Sequence, residues 1–397
     1  MNTSSQPRER DPSNDSDWHD LAPEWQLRPD TVYLNHGSFG LQPNCVRLAR
    51  RGWIDRLDEQ PMDFYLRQME DAMLQARQTV AAFVGTTAEN LVFVDNATYG
   101  MNVVARSFSL KPDDEVIIND HEYGAVHRIW QRACDESGAT LVVAKLPERF
   151  ESHDQIVDCL TGHATARTRL LVVSHITSAT ALIMPAKAIC EAFSERGIAV
   201  CIDGPHAPAQ IEFSIDELNC DFYTASLHKW TCAPLGTGFI YVHPRQQSSI
   251  QPPIKSWGRL LPAIPERWDE EFTWIGSRDP SPFLGVPAAI EFLETIGLES
   301  FRARSRWLAI YAEQALTELF GTTPIGSREQ GWYGCLTHVP MPPGDWSNLQ
   351  KQLWEQAGIE VMINHFNDRW YIRVSSHLYN NTTQLDTLLK ALMRLTT

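Results

Sequence analysis

The 397 residues carry 34 lysines and arginines against 49 aspartates and glutamates, for a formal net charge of -15, and 43% of them are apolar. Such a chain can fill the core of one large or two moderate domains, while its acidity and the lack of any Lys/Arg-rich run argue against nucleic acid as a partner. The eight cysteines show no Cys-x-x-Cys spacing, no apolar run reaches membrane-spanning length, and the N-terminus lacks a signal-peptide core, so a soluble, cytoplasmic protein with free thiols and no membrane contact is expected.

In chain order, residues 1–30 are polar and proline-containing and read as a flexible N-terminal arm. Thr31 to Gly40, TVYLNHGSFG, reads as a short strand breaking into a glycine-punctuated turn that exposes Asn35 and His36. Pro43 to Gln60 and Asp63 to Phe83 place apolar residues at helical spacing, as core or subunit-contact helices do. From Leu91 short apolar strands alternate with amphipathic helices: LVFVD, EVIIND, TLVVAKL, RLLVVSHI and IAVCID, with helices beginning near Thr98, Tyr123, Gln155 and Pro185. That alternation predicts an α/β domain with a mostly parallel sheet flanked by helices, and it places ligands at the carboxyl ends of the strands. Two further strands follow, DFYTAS from Asp221 and GTGFIYVHP from Gly236, then an irregular proline-rich stretch from Gln251 to Pro265 and a long helical region from Phe283 to Phe320. The expected organisation is the arm, a large domain over residues 31–285, and a smaller α+β C-terminal domain over residues 286–397.

The strand ends collect polar and aromatic residues that a core does not need: Asn96-Ala97-Thr98, Tyr123, Thr177-Ser178, Asp203 with His206, and Ser226, His228 and Lys229. A lysine on the rim of a core loses basicity through burial, as an amine must if it is to attack a carbonyl; the structural alternative is a stem that merely covers apolar surface. Asn96 to Thr98 open a helix, which provides either an anion site or an ordinary cap. Ser226 and His228 add donors beside the lysine. Asp203 ends a very apolar strand, where a carboxylate is costly unless it meets a cation or bonds nearby backbone. A ligand with a phosphate, a basic ring nitrogen and an aldehyde would satisfy all these groups together, and pyridoxal 5'-phosphate (PLP) is such a ligand. The histidines show no His-x-x-x-His or Cys-rich ligand spacing, so no metal is expected.

The order Asn96-Ala97-Thr98, HEY at 121–123, Asp203 with His206, Ser226-x-His228-Lys229 and IRVSSHLYN at 372–380 resembles fold-type I PLP enzymes of the aminotransferase class V superfamily. YLNHGSFG, HEYGAV and SLHKW look most like its isopenicillin N epimerase branch. The resemblance implies a Schiff base between Lys229 and PLP, Asp203 paired with the ring nitrogen, and Tyr123 stacked on the ring. His206 stands where relatives often carry a glutamine bonded to the ring 3'-oxygen. It further implies a phosphate held by Asn96, Ala97, Thr98, Ser226 and His228, with Ser178 beside the ring. Ser277 would reach the phosphate of a neighbouring subunit in a homodimer. Arg373 would grip a substrate carboxylate with its planar fork, and Asn35 and His36 would lie on the substrate side. INHFNDRWY, before IRVSS, lacks the mobile cysteine of cysteine desulfurases, and Cys335 sits in a strand-like pattern, which argues against a persulfide route.

The implied activity is PLP chemistry at the α-carbon of an amino acid or peptide-like amine, by epimerisation or transamination. A C-S (β-eliminating) lyase is the alternative, and a non-catalytic α/β binding protein the rival from another class. Epimerisation also requires a second proton donor, for which His36 and Tyr65 are the candidates.

Overall fold

The computed structural model describes residues 8–149, 151–256, 265–328 and 331–396. Its strands, in chain order, are β1 (Val32–Tyr33), β2 (Leu91–Val94), β3 (Glu115–Asn119), β4 (Thr140–Ala144), β5 (Thr168–Ser174), β6 (Ala199–Asp203), β7 (Phe222–Ser226), β8 (Gly238–Val242), β9 (Thr337–Pro340), β10 (Ile359–Glu360), β11 (Met362–Phe366) and β12 (Arg369–Val374).

Seven of them form one sheet in the order β2-β8-β7-β6-β5-β3-β4. β8 runs antiparallel to both of its neighbours, and the remaining pairs are parallel. The strands are continuous apolar runs because both faces of the sheet are covered. Strand alternation sends Leu171 and Val173 of β5 into one core and Leu170 and Val172 into the other. Helices Ala97–Ser107, Gly124–Ser137, His153–Gly162 and Ala186–Ser194 lie between successive strands and complete the layers. Since the parallel strands share a direction, their polar last residues arrive at one edge.

A three-stranded antiparallel sheet, β11-β12-β9, packs with helices Leu298–Phe320 and Thr382–Leu395 around a separate core. The two-residue β1 pairs parallel with β10, so Leu34 joins that second core. Helix Leu298–Phe320 contributes to both cores: Phe301 packs with Val286, Ile290 and Leu293 under the large sheet, and Leu308, Ala312 and Leu316 pack under the small one.

Residues 8–30 depart from the loose arm expected of them, and residues 1–7 lie outside the described residues. Trp18, Leu21 and Trp25 are buried, and Asp15 bonds Arg304 and Thr382. Average polarity hid two tryptophans, each able to bury a large apolar area. The helices expected over residues 43–83 form as Asn44–Glu59 and Met69–Phe83, with a π-helical turn, Phe64–Gln68, shortly before the second. Most of the irregular stretch expected after Gln251 lies outside the described residues. All eight cysteines are free, and among the described residues no helix is long and apolar enough to cross a membrane.

Candidate active site

The carboxyl edge of the large sheet and the rim of the small one enclose a cavity of about 640 Å³. Asn96, Ala97, Thr98, Tyr123, Ser178, Asp203, His206, Ser226, His228, Lys229 and Arg373 all line it. A larger groove, about 900 Å³, lies between helices Ala97–Ser107 and Gly124–Ser137 and contains none of these residues.

Lys229 follows β7 in a turn whose main chain is clamped from the N-terminal segment. The Gly40 N–H donates to the His228 carbonyl at 3.0 Å, and His36 Nε2 lies 3.0 Å from the Lys229 carbonyl. A side chain on Gly40 would meet those two carbonyl oxygens at 2.3 and 2.5 Å, so only glycine allows this approach. The lysine side chain lies 3.1 Å from His206 through Nζ and Nε2. Burial pulls its pKa down to about 7; the Arg373 charge acts in the same direction and Asp203 against it. Asp203, 3% exposed at the end of β6, accepts one hydrogen bond from Thr224, 3.3 Å away. Burial raises its pKa, Lys229 opposes that, and Asp203 forms no ion pair among the described residues.

At the other end of the cavity Asn96 caps helix Ala97–Ser107, its side chain accepting from the Tyr99 N–H at 2.9 Å. The Ala97 N–H donates to Ser226 Oγ at 3.0 Å. The Ala97 N–H is therefore already used within the chain, while Ser226 Oγ, as an acceptor there, keeps its own proton to donate. Thr98 follows Asn96 and Ala97 in the first turn and lines the cavity, and His228 Nδ1 is buried with no partner. Tyr123, at the start of helix Gly124–Ser137, is half-exposed.

Arg373 on β12 is 1% exposed. It donates to the Ser178 carbonyl at 2.7 Å and to Ser38 Oγ at 2.9 Å, and Ser178 Oγ lies 3.3 Å away. It meets no carboxylate among the described residues and its Nε is unpartnered, so the surface salt bridge that an arginine so often makes is absent. Burial lowers its pKa to about 10, the Tyr123 hydroxyl working in the other direction. An unpaired buried guanidinium carries a desolvation cost that an incoming carboxylate relieves.

Four expected site residues lie elsewhere: Asn35, His36, Tyr65 and Ser277. Asn35 and His36 are buried rather than exposed, Asn35 accepting from Ser38 Oγ at 2.7 Å. His36 sits under the lysine turn, with Nδ1 2.9 Å from Tyr379 Oη and its ring stacked on His377 at 4.0 Å and 19°. His36, Cys232 and His377 bring three ligand-type atoms together, but nearly parallel rings keep their in-plane lone pairs side by side instead of converging on one ion. Tyr65 is also engaged, donating to the Arg278 carbonyl at 2.8 Å. Ser277 is exposed and outside the cavity, although the adjacent Arg278 lies 3.8 Å from Asp95, which precedes Asn96. Ser38, Phe39, Leu235 and Met362 line the cavity without having been singled out. Ser38 lay in the GSFG turn already noted, and the missing signal was its partner on β12.

PLP fits what these residues lack. The carboxylate without a cation, the half-buried lysine amine and the unpartnered His228 Nδ1 match a ring nitrogen, an aldehyde and a phosphate. The sequence profile described as Aminotransferase class-V matches residues 63–388. The chain is 33% identical to an isopenicillin N epimerase of Amycolatopsis lactamdurans over 395 residues, covering 95% of this chain and 98% of that one. An L-cysteine desulfhydrase of Arabidopsis thaliana is 27% identical over 404 residues, covering 91% and 87%. A C-DES variant solved with glycine covalently linked to its PLP cofactor superposes with a TM-score of 0.81 at 20% identity, covering 92% of this chain and 96% of that one.

Proposed function

The chain belongs to the class-V aminotransferase family and is a PLP-dependent enzyme, and from that premise we propose that it inverts the configuration at the α-carbon of a peptide-like amine, or transfers its amino group, in the manner of an isopenicillin N epimerase-like enzyme. The observation that carries this reading is the buried Arg373 guanidinium, left without a carboxylate in the same cavity as Lys229 and Asp203. When bound, the cofactor supplies an aldehyde for the substrate amine and an electron-withdrawing ring that makes the Cα proton acidic.

The chain supplies the rest. Arg373, with Ser38 and Ser178 behind it, holds the substrate carboxylate and so fixes the α-carbon relative to Lys229. Lys229 Nζ, kept poorly basic by burial, takes the Cα proton as general base and can return it. The Asp203 carboxylate keeps the ring nitrogen protonated. Ser226, His228 and Thr98 would hold the phosphate, and Tyr123 would lie against the ring. With His36 and Tyr65 engaged elsewhere, Tyr123, which lines the cavity, is our candidate for the second proton donor.

The desulfhydrase relative supports a second reading, β-elimination from a sulfur-containing amino acid. Cys335 is 2% exposed and its N–H bonds Gln210, so a persulfide route through it is disfavoured. Incubating the yellow holoenzyme in deuterium oxide with isopenicillin N and a panel of amino acids separates the branches. Deuterium at an inverted α-carbon is the expected result; keto acid would mean transamination, and sulfide with pyruvate would replace the epimerase reading by the lyase. A protein that stays colourless in added PLP would sink both.

A homodimer with shared sites, in the cytoplasm, is part of the proposal. Leu48, Met62, Leu66 and Leu74 expose a run of apolar side chains over residues 48–74, and Ser277, turned away from its own cavity, is assigned to the partner's phosphate. Sedimentation should give a dimer, and Ser277→Ala should weaken PLP affinity. A monomer that keeps full cofactor affinity would end the shared-site picture.

A further inference from the structure

Two of the hydrogen bonds around His206, those from Trp230 and Gln210, have a fixed direction. The ring is fully buried, and the Trp230 indole Nε1 lies 3.3 Å from its Nδ1. An indole N–H can only donate, so Nδ1 must accept and cannot carry the proton. In a neutral imidazole the proton then resides on Nε2, the nitrogen 3.1 Å from Lys229 Nζ. The residue's own carbonyl is also held, accepting from Gln210 Nε2 at 2.7 Å, so the ring is anchored at its backbone and at one nitrogen while the other faces the lysine. Burial keeps the imidazole neutral, and the Arg373 charge acts in the same direction.

We infer that Trp230 is a positioning residue: its indole N–H fixes His206 in the Nε2-protonated tautomer, making that nitrogen a permanent donor at the lysine end of the cavity. In the cofactor-free chain this donor meets the lone pair of an uncharged Lys229 amine. The inference rests on the PLP reading in one respect, that the same N–H is later offered to an acceptor oxygen of the cofactor ring. A glutamine amide at this position is a donor by composition. A histidine is a donor on either nitrogen, and Trp230, adjacent in sequence to Lys229, removes the choice. The residue that binds the ring and the residue that orients its neighbour thus arrive on one turn.

The test uses the full chain labelled with 15N-histidine, in which ring nitrogen shifts distinguish protonated from unprotonated sites. Wild-type His206 should show unprotonated Nδ1 and protonated Nε2 across the neutral range. In Trp230→Phe, which keeps the aromatic bulk, the two shifts should converge as the tautomers mix. The pH midpoint of the holoenzyme's visible absorbance should also move in Trp230→Phe, and kcat should fall by about tenfold with KM little changed. Neither effect should appear when Trp230→Phe is made in a His206→Gln background. A wild-type proton on Nδ1, or equal losses in the two backgrounds, would overturn the inference and leave Trp230 a packing residue. A chain that never turns yellow overturns the proposed function instead, and the nitrogen shifts of the cofactor-free protein still decide the tautomer.

Discussion

Arg304 and Arg373 are each 1% exposed, yet they are buried in opposite ways. Arg304, on helix Leu298–Phe320, bonds the Asp15 carboxylate, the Pro12 carbonyl at 2.8 Å and the Asn380 carbonyl at 3.2 Å, and it lies over the Trp18 and Trp307 rings. Arg373 has two serines and no anion. Burying a guanidinium costs several kcal/mol unless a negative charge accompanies it. Around Arg304 the folded chain provides that charge itself, and the result is an anchor for residues 8–30. Around Arg373 it is withheld, and the result is a socket. Two side chains indistinguishable in identity and exposure are thus separated by whether their own chain completes them.

The largest effect belongs to Lys229, on the withheld side. Lys229→Ala should lose covalent PLP attachment altogether, read as the absence of a borohydride-fixed adduct in the intact mass; an adduct at full occupancy would remove the residue from its role. Next comes the pair that defines the contrast. Arg373→Gln should lower kcat/KM by about 10²–10³, chiefly through KM, with the melting temperature unchanged or raised. Arg304→Gln should do the reverse, costing about 3 kcal/mol in denaturant unfolding with kcat/KM intact in the folded fraction. Equal stability losses in the two variants would erase the distinction.

A smaller effect is the pH dependence of PLP capture by the cofactor-free chain. Because burial lowers Lys229 to about 7, capture should rise roughly tenfold per pH unit below that value and level off above it. A rate still climbing toward the ordinary lysine range would show an exposed amine. For stability the sign is set by the unfolded chain, which keeps this proton up to about pH 10.4, so the cofactor-free protein should gain from this residue as pH rises through that window. The smallest effect is on the anchor. Burial works to raise the Asp15 carboxyl, but hydrogen bonds from Thr382 and Arg304 outweigh it and hold it below the usual range. That contribution is present above the unfolded value of about 3.9 and is lost as pH falls through the lower folded value, so Asp15→Asn should flatten the acid limb of the stability profile and cost about 1 kcal/mol, given the residue's partial exposure.

Strand alternation was legible because a sheet covered on both faces must be written as apolar runs, and the polar residues ending them stood out for the same reason. Lys229, Asp203, His206 and Arg373 meet in one cavity because parallel strands end at one edge and β12 faces it. Asn35 and His36 were misjudged as exposed because a turn's outward look holds only until something covers it, and Tyr379 does so from 343 positions away. Asn96 serves its own helix through its side-chain oxygen and also lines the cavity, a double position that sequence alone does not separate. Ser38 went unnoticed because a hydroxyl in a turn has no meaning until its arginine is known. The N-terminal segment was misread by averaging: DSDWHDLAPEW is polar in the mean and anchored by its tryptophans.

The clamp on the lysine turn also orders events in time. His36 and Lys229 are 193 positions apart, and the Tyr379 that holds His36 is further still, so the turn can be fixed only after both ends of the chain have been made and brought together. Contacts of such separation close late, since the entropy of the intervening loop must be overcome first. Until then Lys229 is an ordinary solvated amine, protonated at neutral pH and slow to react with an aldehyde. Cofactor loading is thereby reserved for molecules that have finished folding, and a chain cut short before its last strand and helix is left colourless and chemically silent.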